Sequence, residues 1–246
     1  MESAAGGVLA ADLGRPVAAP RVKRARLFYP SLALAMLAVV FVGFAPTYYL
    51  KGAFGSRPLP LLFHVHGAAF TAWMLLLVAQ AALVASGRTP MHRRLGVAGG
   101  GLAAIMMVLA WLMAVGMARR AGNDEASLRF VIVPVATIVV FPILVGAALV
   151  WRRFPAMHKR LMMIATAELM SAGIGRLPGL GAYGPPGFFG GTDLVIVALL
   201  VHDRVTTGRF HPATMWGGVF LVASQGLRLV IASTDGWLSV ARWIAA

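Results

Sequence analysis

Residues 28–50 read FYPSLALAMLAVVFVGFAPTYYL and contain no Asp, Glu, Lys or Arg. A helix needs about 20 consecutive apolar residues to cross the hydrocarbon core of a bilayer. This stretch therefore predicts a transmembrane helix. It is also too long for the hydrophobic region of a signal peptide.

Six further stretches of the same kind follow along the chain. Overall, 59% of the 246 residues are apolar and only 12% are charged, against roughly a quarter charged in a typical soluble domain. Lipid is therefore the expected medium, and the sequence predicts an all-α, polytopic transmembrane helix bundle. The seven predicted spans are residues 28–50, 61–86, 95–118, 129–151, 159–177, 188–204 and 212–232.

Two end segments complete the predicted organisation. Residues 1–27 are basic and lack apolar periodicity, so we expect a disordered cytoplasmic tail before a transmembrane domain at 28–246. The C-terminal WLSVARWIAA, residues 237–246, is too short to cross a bilayer. Its two Trp residues predict a short interfacial helix.

The distribution of basic residues predicts the orientation. The net charge is +14, which in a soluble protein would suggest nucleic acid. Here most of the 22 Lys and Arg residues lie in the N-terminal tail and in the loops after spans two, four and six. The positive-inside rule then places the N-terminus in the cytoplasm and the C-terminus outside. We expect a multi-pass protein of the bacterial inner membrane, in contact with lipids and with a membrane protein partner or a second copy, and not with nucleic acid.

A repeated motif supplies candidate cofactor ligands. PMHRRL at 90–95 and PAMHKRL at 155–161 open the third and fifth spans, so His92 and His158 occupy equivalent positions near the inner interface. Two histidines from different helices can hold a haem iron or half of a metal site. His66 is a third candidate, because the small residues after it leave room for a bound group. The chain has no cysteine, so a thiolate site is excluded; the alternative role for these histidines is contact with lipid phosphate.

Five polar residues inside or against the predicted spans form a second group. An ionisable group at the centre of a span costs roughly 2.5–3.5 kcal/mol on insertion scales, so each is expected to pair or to function. Asp193 is predicted to pair with Arg228 or with Arg176, and Asp203, nearer the inner interface, with Arg204 or Arg160. The predicted buried polar cluster is Glu168, Arg176, Asp193, Gln225 and Arg228.

The sequence leaves three functions open. The first is a haem- or metal-binding protein of membrane redox chemistry or oxidase assembly. The second is a small proton-coupled transporter that uses Glu168 and Asp193. The third is a membrane enzyme acting on lipid at the inner histidines and basic residues. No catalytic residue or specific metal is predicted, because the sequence lacks the motifs of nucleotide-binding loops, nucleophile elbows and zinc proteases.

Three stretches carry a resemblance to known membrane proteins: FHVHGAAFTAWMLLLVAQAALVASGRTPMHRRLG at 63–96, MHKRLMMIATAELM at 157–170 and HDRVTTGRFHPATMWGG at 202–218. Together they resemble an uncharacterised family of bacterial multi-pass membrane proteins, over nearly the whole chain after residue 28. Through the His-Arg-Arg-Leu-Gly turn at 92–96 the chain also resembles other bacterial membrane domains of unknown function, and it is more faintly similar to small membrane proteins that assist cytochrome oxidase assembly. The resemblance implies a multi-pass fold, and it brings no catalytic residue with it.

Overall fold

The computed structural model describes residues 19–55 and 57–246, with side chains from Leu27 onward. Within these residues the chain forms nine α-helices and no strand, which confirms the predicted all-α bundle. The helices are α1 (Ala19–Phe44), α2 (Leu61–Ala85), α3 (Thr89–Ala121), α4 (Glu125–Phe130), α5 (Ile132–Val150), α6 (Pro155–Ile174), α7 (Pro185–Thr207), α8 (Pro212–Ala232) and α9 (Asp235–Ala245). A π-helical turn, Ala45–Tyr49, extends α1, and a 3₁₀ turn, Gly181–Tyr183, precedes α7.

Six stretches of the described chain are long and apolar enough to cross a membrane, so this is a multi-pass integral membrane protein. About seven spans are consistent with this count, because the fifth predicted span, α6, is the one that falls outside it. The six are Leu27–Tyr49, Leu61–Ala85, Thr89–Ala121, Glu125–Val150, Pro185–Thr207 and Pro212–Ala232.

Helix α6 differs from the other long helices because it lies inside the bundle. It packs against α1, α5, α7 and α8, and the indole of Trp73 on α2 donates a hydrogen bond to Thr166 on α6 (3.2 Å). A helix surrounded by protein does not need an apolar surface, and it can carry polar groups that its neighbours satisfy. This position explains why α6 holds Arg160 and Glu168 and is the least apolar of the seven.

Small residues let α1 approach α6 closely. A Cβ added at Gly43 would overlap the carbonyl oxygen of Gly173 and would lie 2.7 Å from its carbonyl carbon. A Cβ at Gly173 would in turn lie 3.3 Å from Cα of Val40. The two backbones therefore meet directly, as is common where lipid provides no hydrophobic drive for helix association.

The structure differs from the predicted boundaries in three places. Helix α1 begins at Ala19 and so includes residues 19–27 of the predicted tail. The rest of the predicted tail, 1–18, lies outside the described residues. Helix α3 begins at Thr89, before its predicted start. The fourth predicted span is divided at Val131 into α4 and α5, and Asp124 caps α4 by accepting a hydrogen bond from the Ser127 N–H (3.3 Å).

The C-terminal helix α9 packs on the ends of α3 and α4. Thr234 caps its N-terminus (Trp237 N–H to Thr234 Oγ1, 3.1 Å). Its apolar face, with Trp237 and Ile244, joins Leu128 of α4 in a second small core. Two exposed ion pairs flank this core: Arg129–Asp235 (3.2 Å) and Arg242–Glu125 (2.8 Å). A short helix is thus formed where one was predicted, and its position at the membrane interface stays a prediction.

Candidate functional site

The two histidines of the repeated motif come together at one end of the bundle. The ring of His92, in the first turn of α3, lies 6.1 Å from the ring of His158, in the first turn of α6, measured between centroids. The ring planes are nearly perpendicular, at 83°. Two positions that are 66 residues apart by number in the sequence therefore form one histidine pair.

His158 is oriented by a hydrogen bond to α5. Its Nδ1 lies 2.8 Å from the carbonyl oxygen of Ala148. A carbonyl oxygen only accepts hydrogen bonds, so Nδ1 carries a proton, and Nε2 is the nitrogen left to bind a metal through its lone pair. Metal-bound histidines are commonly held by this kind of bond to a backbone carbonyl.

Gln80 of α2 lies at the same corner as His92. A Cβ added at Gly96, one turn after His92, would be 3.5 Å from Nε2 of Gln80, and His92 interacts with the Gln80 backbone. Nδ1 of His92 and Oε1 of Gln80 are both buried without a hydrogen-bond partner. The corner thus holds two imidazoles and one amide oxygen with capacity to bind a further group.

His66 does not belong to this corner. It lies near the other end of α2, 14 residues before Gln80, a separation of roughly 21 Å along a helix. Its ring packs on Phe70, with centroids 4.2 Å apart, and its Nδ1 is buried without a partner. The three histidines predicted as ligands are therefore split between the two ends of the bundle. Within the described residues, no group of three or more His, Asp and Glu side chains is placed to hold a metal ion.

The buried polar cluster forms around an ion pair that was not predicted. Arg228 of α8 contacts Glu168 of α6 (Nη2–Oε1 2.8 Å), and both side chains are 2% exposed. Thr137 of α5 donates a hydrogen bond to the same carboxylate oxygen (2.7 Å). Arg228 Nη2 also donates to Ser224 (3.2 Å), whereas its Nε and Nη1 are buried without a partner. Three helices are thereby joined near the middle of the bundle.

Asp193 and Arg176 do not form the pairs predicted for them. Asp193 of α7 accepts a hydrogen bond from Gln225 (Nε2–Oδ1 3.0 Å), and Gln225 also donates to Thr192 (3.2 Å). Arg176 is exposed beyond the end of α6, where it donates to the Ala172 carbonyl and lies over the Phe44 ring. The prediction of an Asp193–Arg228 or Asp193–Arg176 pair is therefore wrong. Glu168 takes Arg228 because α6 lies at the centre of the bundle.

A second buried ion pair lies towards the histidine end of the bundle. Arg160 binds Asp203 through Nη2 and through Nε (2.9 Å to Oδ1). The other oxygen of Asp203 accepts from the Thr214 hydroxyl (2.6 Å) and from the His211 N–H (3.2 Å). Of the two partners predicted for Asp203, Arg160 is the one observed. The ion pair and these two hydrogen bonds connect α6, α7 and the start of α8.

His211 begins α8 as a neutral cap. Its Nδ1 accepts a hydrogen bond from the Ala213 N–H (3.1 Å), which requires the ring nitrogen to be unprotonated. Burial, followed by the charge of Arg160, lowers the pKa of His211 below its ordinary value. The start of α8 is therefore adjacent to the Arg160–Asp203 pair.

Sequence reasoning missed three residues of these sites: Gln80, Thr137 and Thr214. Each lies among apolar residues of a long helix, and a polar group in such a setting is expected to have a partner. That signal was present in the sequence for Gln80, which stands alone between apolar residues in the second half of α2.

Comparison with known proteins adds no relative from which a function could be transferred to these residues. No protein-family model, no curated protein and no solved structure matches the chain.

Proposed function

We propose that this chain is a metal-binding protein of the bacterial inner membrane, in which His92 and His158 hold a transition-metal ion for membrane redox chemistry or the assembly of an oxidase. The observation that carries the proposal is the convergence of these two rings from equivalent positions of the repeated motif. Exposed Arg93 and Arg94 nearby are the basic residues that favour the cytoplasmic side for this end.

The donor atoms of the corner suit a single ion. Imidazole nitrogens bind Zn, Cu, Fe and Ni, and an amide oxygen is a harder, weaker ligand that can complete the set. His158 offers Nε2 because Ala148 fixes its tautomer, and His92 and Gln80 each hold a buried atom that lacks a partner. Two imidazoles leave further coordination positions for water, a lipid phosphate or a residue of a partner protein.

A haem fits this corner less well than an ion. A porphyrin bound by two histidines lies as a plane between their rings, and that plane needs a wide slot. Helices α2 and α3 pack directly beside His92: a Cβ at Gly99 would lie 2.9 Å from Leu76, and Gly96 lies under Gln80. Inserting a porphyrin there would push these helices apart. We therefore propose a metal ion, and not haem, as the bound group.

The test is elemental analysis and an absorption spectrum of the detergent-purified protein from metal-supplemented cells. We expect a stoichiometric metal that is lost in His92→Ala and His158→Ala. His64→Ala, a histidine at the opposite end of the bundle, is the matched control and should retain the metal. A metal-free wild-type protein, or equal metal in all three variants, would refute the proposal. A Soret band in the absorption spectrum would instead indicate that the bound group is haem.

The Glu168–Arg228 pair supports a second candidate, a proton-coupled small transporter. Its observation is that Arg228 keeps two buried N–H groups without a partner beside Glu168, and that Asp193 lies on the adjoining helix α7. Intramembrane charges of this kind commonly mark ion pathways. In proteoliposomes with an imposed pH gradient, Glu168→Gln should abolish proton uptake that the wild-type protein catalyses. Equal uptake by both proteins would remove Glu168 from any such mechanism.

A further inference from the structure

The carboxyl group of Asp193 lies near the middle of a membrane-spanning helix. Asp193 is three residues from Ile196, the central residue of α7, which corresponds to about 4.5 Å along the helix axis. An ionised carboxylate at this depth requires a positive partner or a strong set of donors, because hydrocarbon does not solvate charge.

The charges around Asp193 do not balance if every group is ionised. Glu168 on α6 forms an ion pair with Arg228 of α8 at 2.8 Å, whereas Asp193 on α7 forms no ion pair among the described residues. From α8, Asp193 receives only the neutral amide of Gln225. Leu32 and Met36 of α1, which line a cavity together with Leu194 and Val195 of α7, are apolar.

Arg228 itself indicates which carboxyl group is neutral. Its Nε and Nη1 are buried without a partner, so neither of them binds Asp193. An ionised Asp193 would attract these N–H groups strongly. Among the described residues Asp193 accepts one hydrogen bond, from the Gln225 amide, and has no cationic partner, which favours the neutral acid in a membrane-spanning helix.

The two carboxyl groups also differ in their access to lipid. Glu168 is enclosed, with 2% of its side chain exposed. Asp193 is half-buried, and its neighbours Leu194 and Val197 are exposed on the outer surface of α7. We propose that Asp193 is a proton-binding carboxyl group reachable from the lipid, and that it holds the one proton that neutralises the Glu168–Arg228–Asp193 cluster.

This inference does not depend on the metal site, and it holds whether or not the cluster carries a substrate. A carboxyl group that is protonated and open to lipid has a characteristic reaction with hydrophobic carbodiimides. The acid proton moves to a carbodiimide nitrogen while the carboxyl oxygen bonds to the central carbon. The adduct rearranges to a stable N-acylurea, and no atom leaves. Each reacted carboxyl group therefore gains the mass of one reagent molecule.

The experiment treats the full chain in proteoliposomes with dicyclohexylcarbodiimide and locates adducts by intact mass and peptide mapping. We expect one adduct, on Asp193, whose yield falls as the pH is raised. Asp193→Asn should lose it, while Asp193→Glu should keep an adduct on residue 193. A water-soluble carbodiimide should instead label exposed Asp235.

Two results would overturn the proposal. One is a wild-type protein without an adduct on residue 193 at mildly acidic pH, when Asp193→Glu is also unreactive. The other is an adduct on Glu168 in the wild-type protein, which would place the exchangeable proton on the enclosed carboxyl group. If Asp193→Asn fails to fold, the pH dependence of the wild-type adduct and the Asp193→Glu variant still decide the question.

Discussion

Replacing Asp203 with Asn should destabilise the protein by about 3 kcal/mol. Asp203 is fully buried and accepts hydrogen bonds from Arg160, Thr214 and His211. Asn keeps the shape and one acceptor oxygen, but it leaves the charge of Arg160 uncompensated. Removing one member of a buried ion pair costs about 3–5 kcal/mol, and the retained acceptor places the expected loss at the lower end.

The measurement is the free energy of unfolding by SDS in mixed micelles, followed by circular dichroism. Asp235→Asn is the matched control, because the same change there breaks an ion pair whose aspartate side chain is 96% exposed, and such pairs contribute about 0–1 kcal/mol. A double variant, Arg160→Met with Asp203→Leu, should lose less than the sum of the two single changes. Equal losses for Asp203→Asn and Asp235→Asn would refute the assignment of the buried pair as a stabilising contact.

Two further predictions concern the packing of α1 and the start of α8. Gly43→Ala should destabilise the protein by about 1–3 kcal/mol, because the new Cβ meets the backbone of Gly173. The control is Gly101→Ala, where nothing lies within 4 Å of the added Cβ. Equal unfolding midpoints for the two variants would contradict the close α1–α6 contact. His211→Asn should keep a cap for α8 and make stability less dependent on pH. Because the pKa of His211 is lowered in the folded protein, the stability that His211 contributes is present above pH 6.5 and is lost as the pH falls below that value. The measurement is the free energy of unfolding of both proteins from pH 7.5 to 5. The same pH dependence in both proteins would disprove the prediction.

The sequence predicted the membrane fold well because its signal is local. Runs such as 28–50 reveal their medium without reference to the rest of the chain, and the structure confirms an all-α bundle with six such helices among the described residues. Helix α6 shows where the local signal weakens. Its polar residues are tolerated only because other helices surround it, and no property of residues 155–174 alone shows that.

The candidate sites were predicted less completely because they depend on pairing between helices. The repeat identified His92 and His158 as equivalent, and the structure brings them together. The expected depths of Asp193 and Arg228 in the membrane suggested that they pair, but depth does not show which side of a helix a residue occupies. The rotation of α6 brought Glu168 to Arg228 instead. Gln80 was missed because its role depends on the same interhelical geometry.

The enclosure of α6 has a consequence for how the chain is made. Its two buried charges, Arg160 and Glu168, pair with Asp203 on α7 and Arg228 on α8, and the ribosome synthesises both partners later. A nascent chain that ends after α6 would present unmatched charges to the bilayer. We therefore expect α6 to take up its enclosed position only after the last two spans have been synthesised.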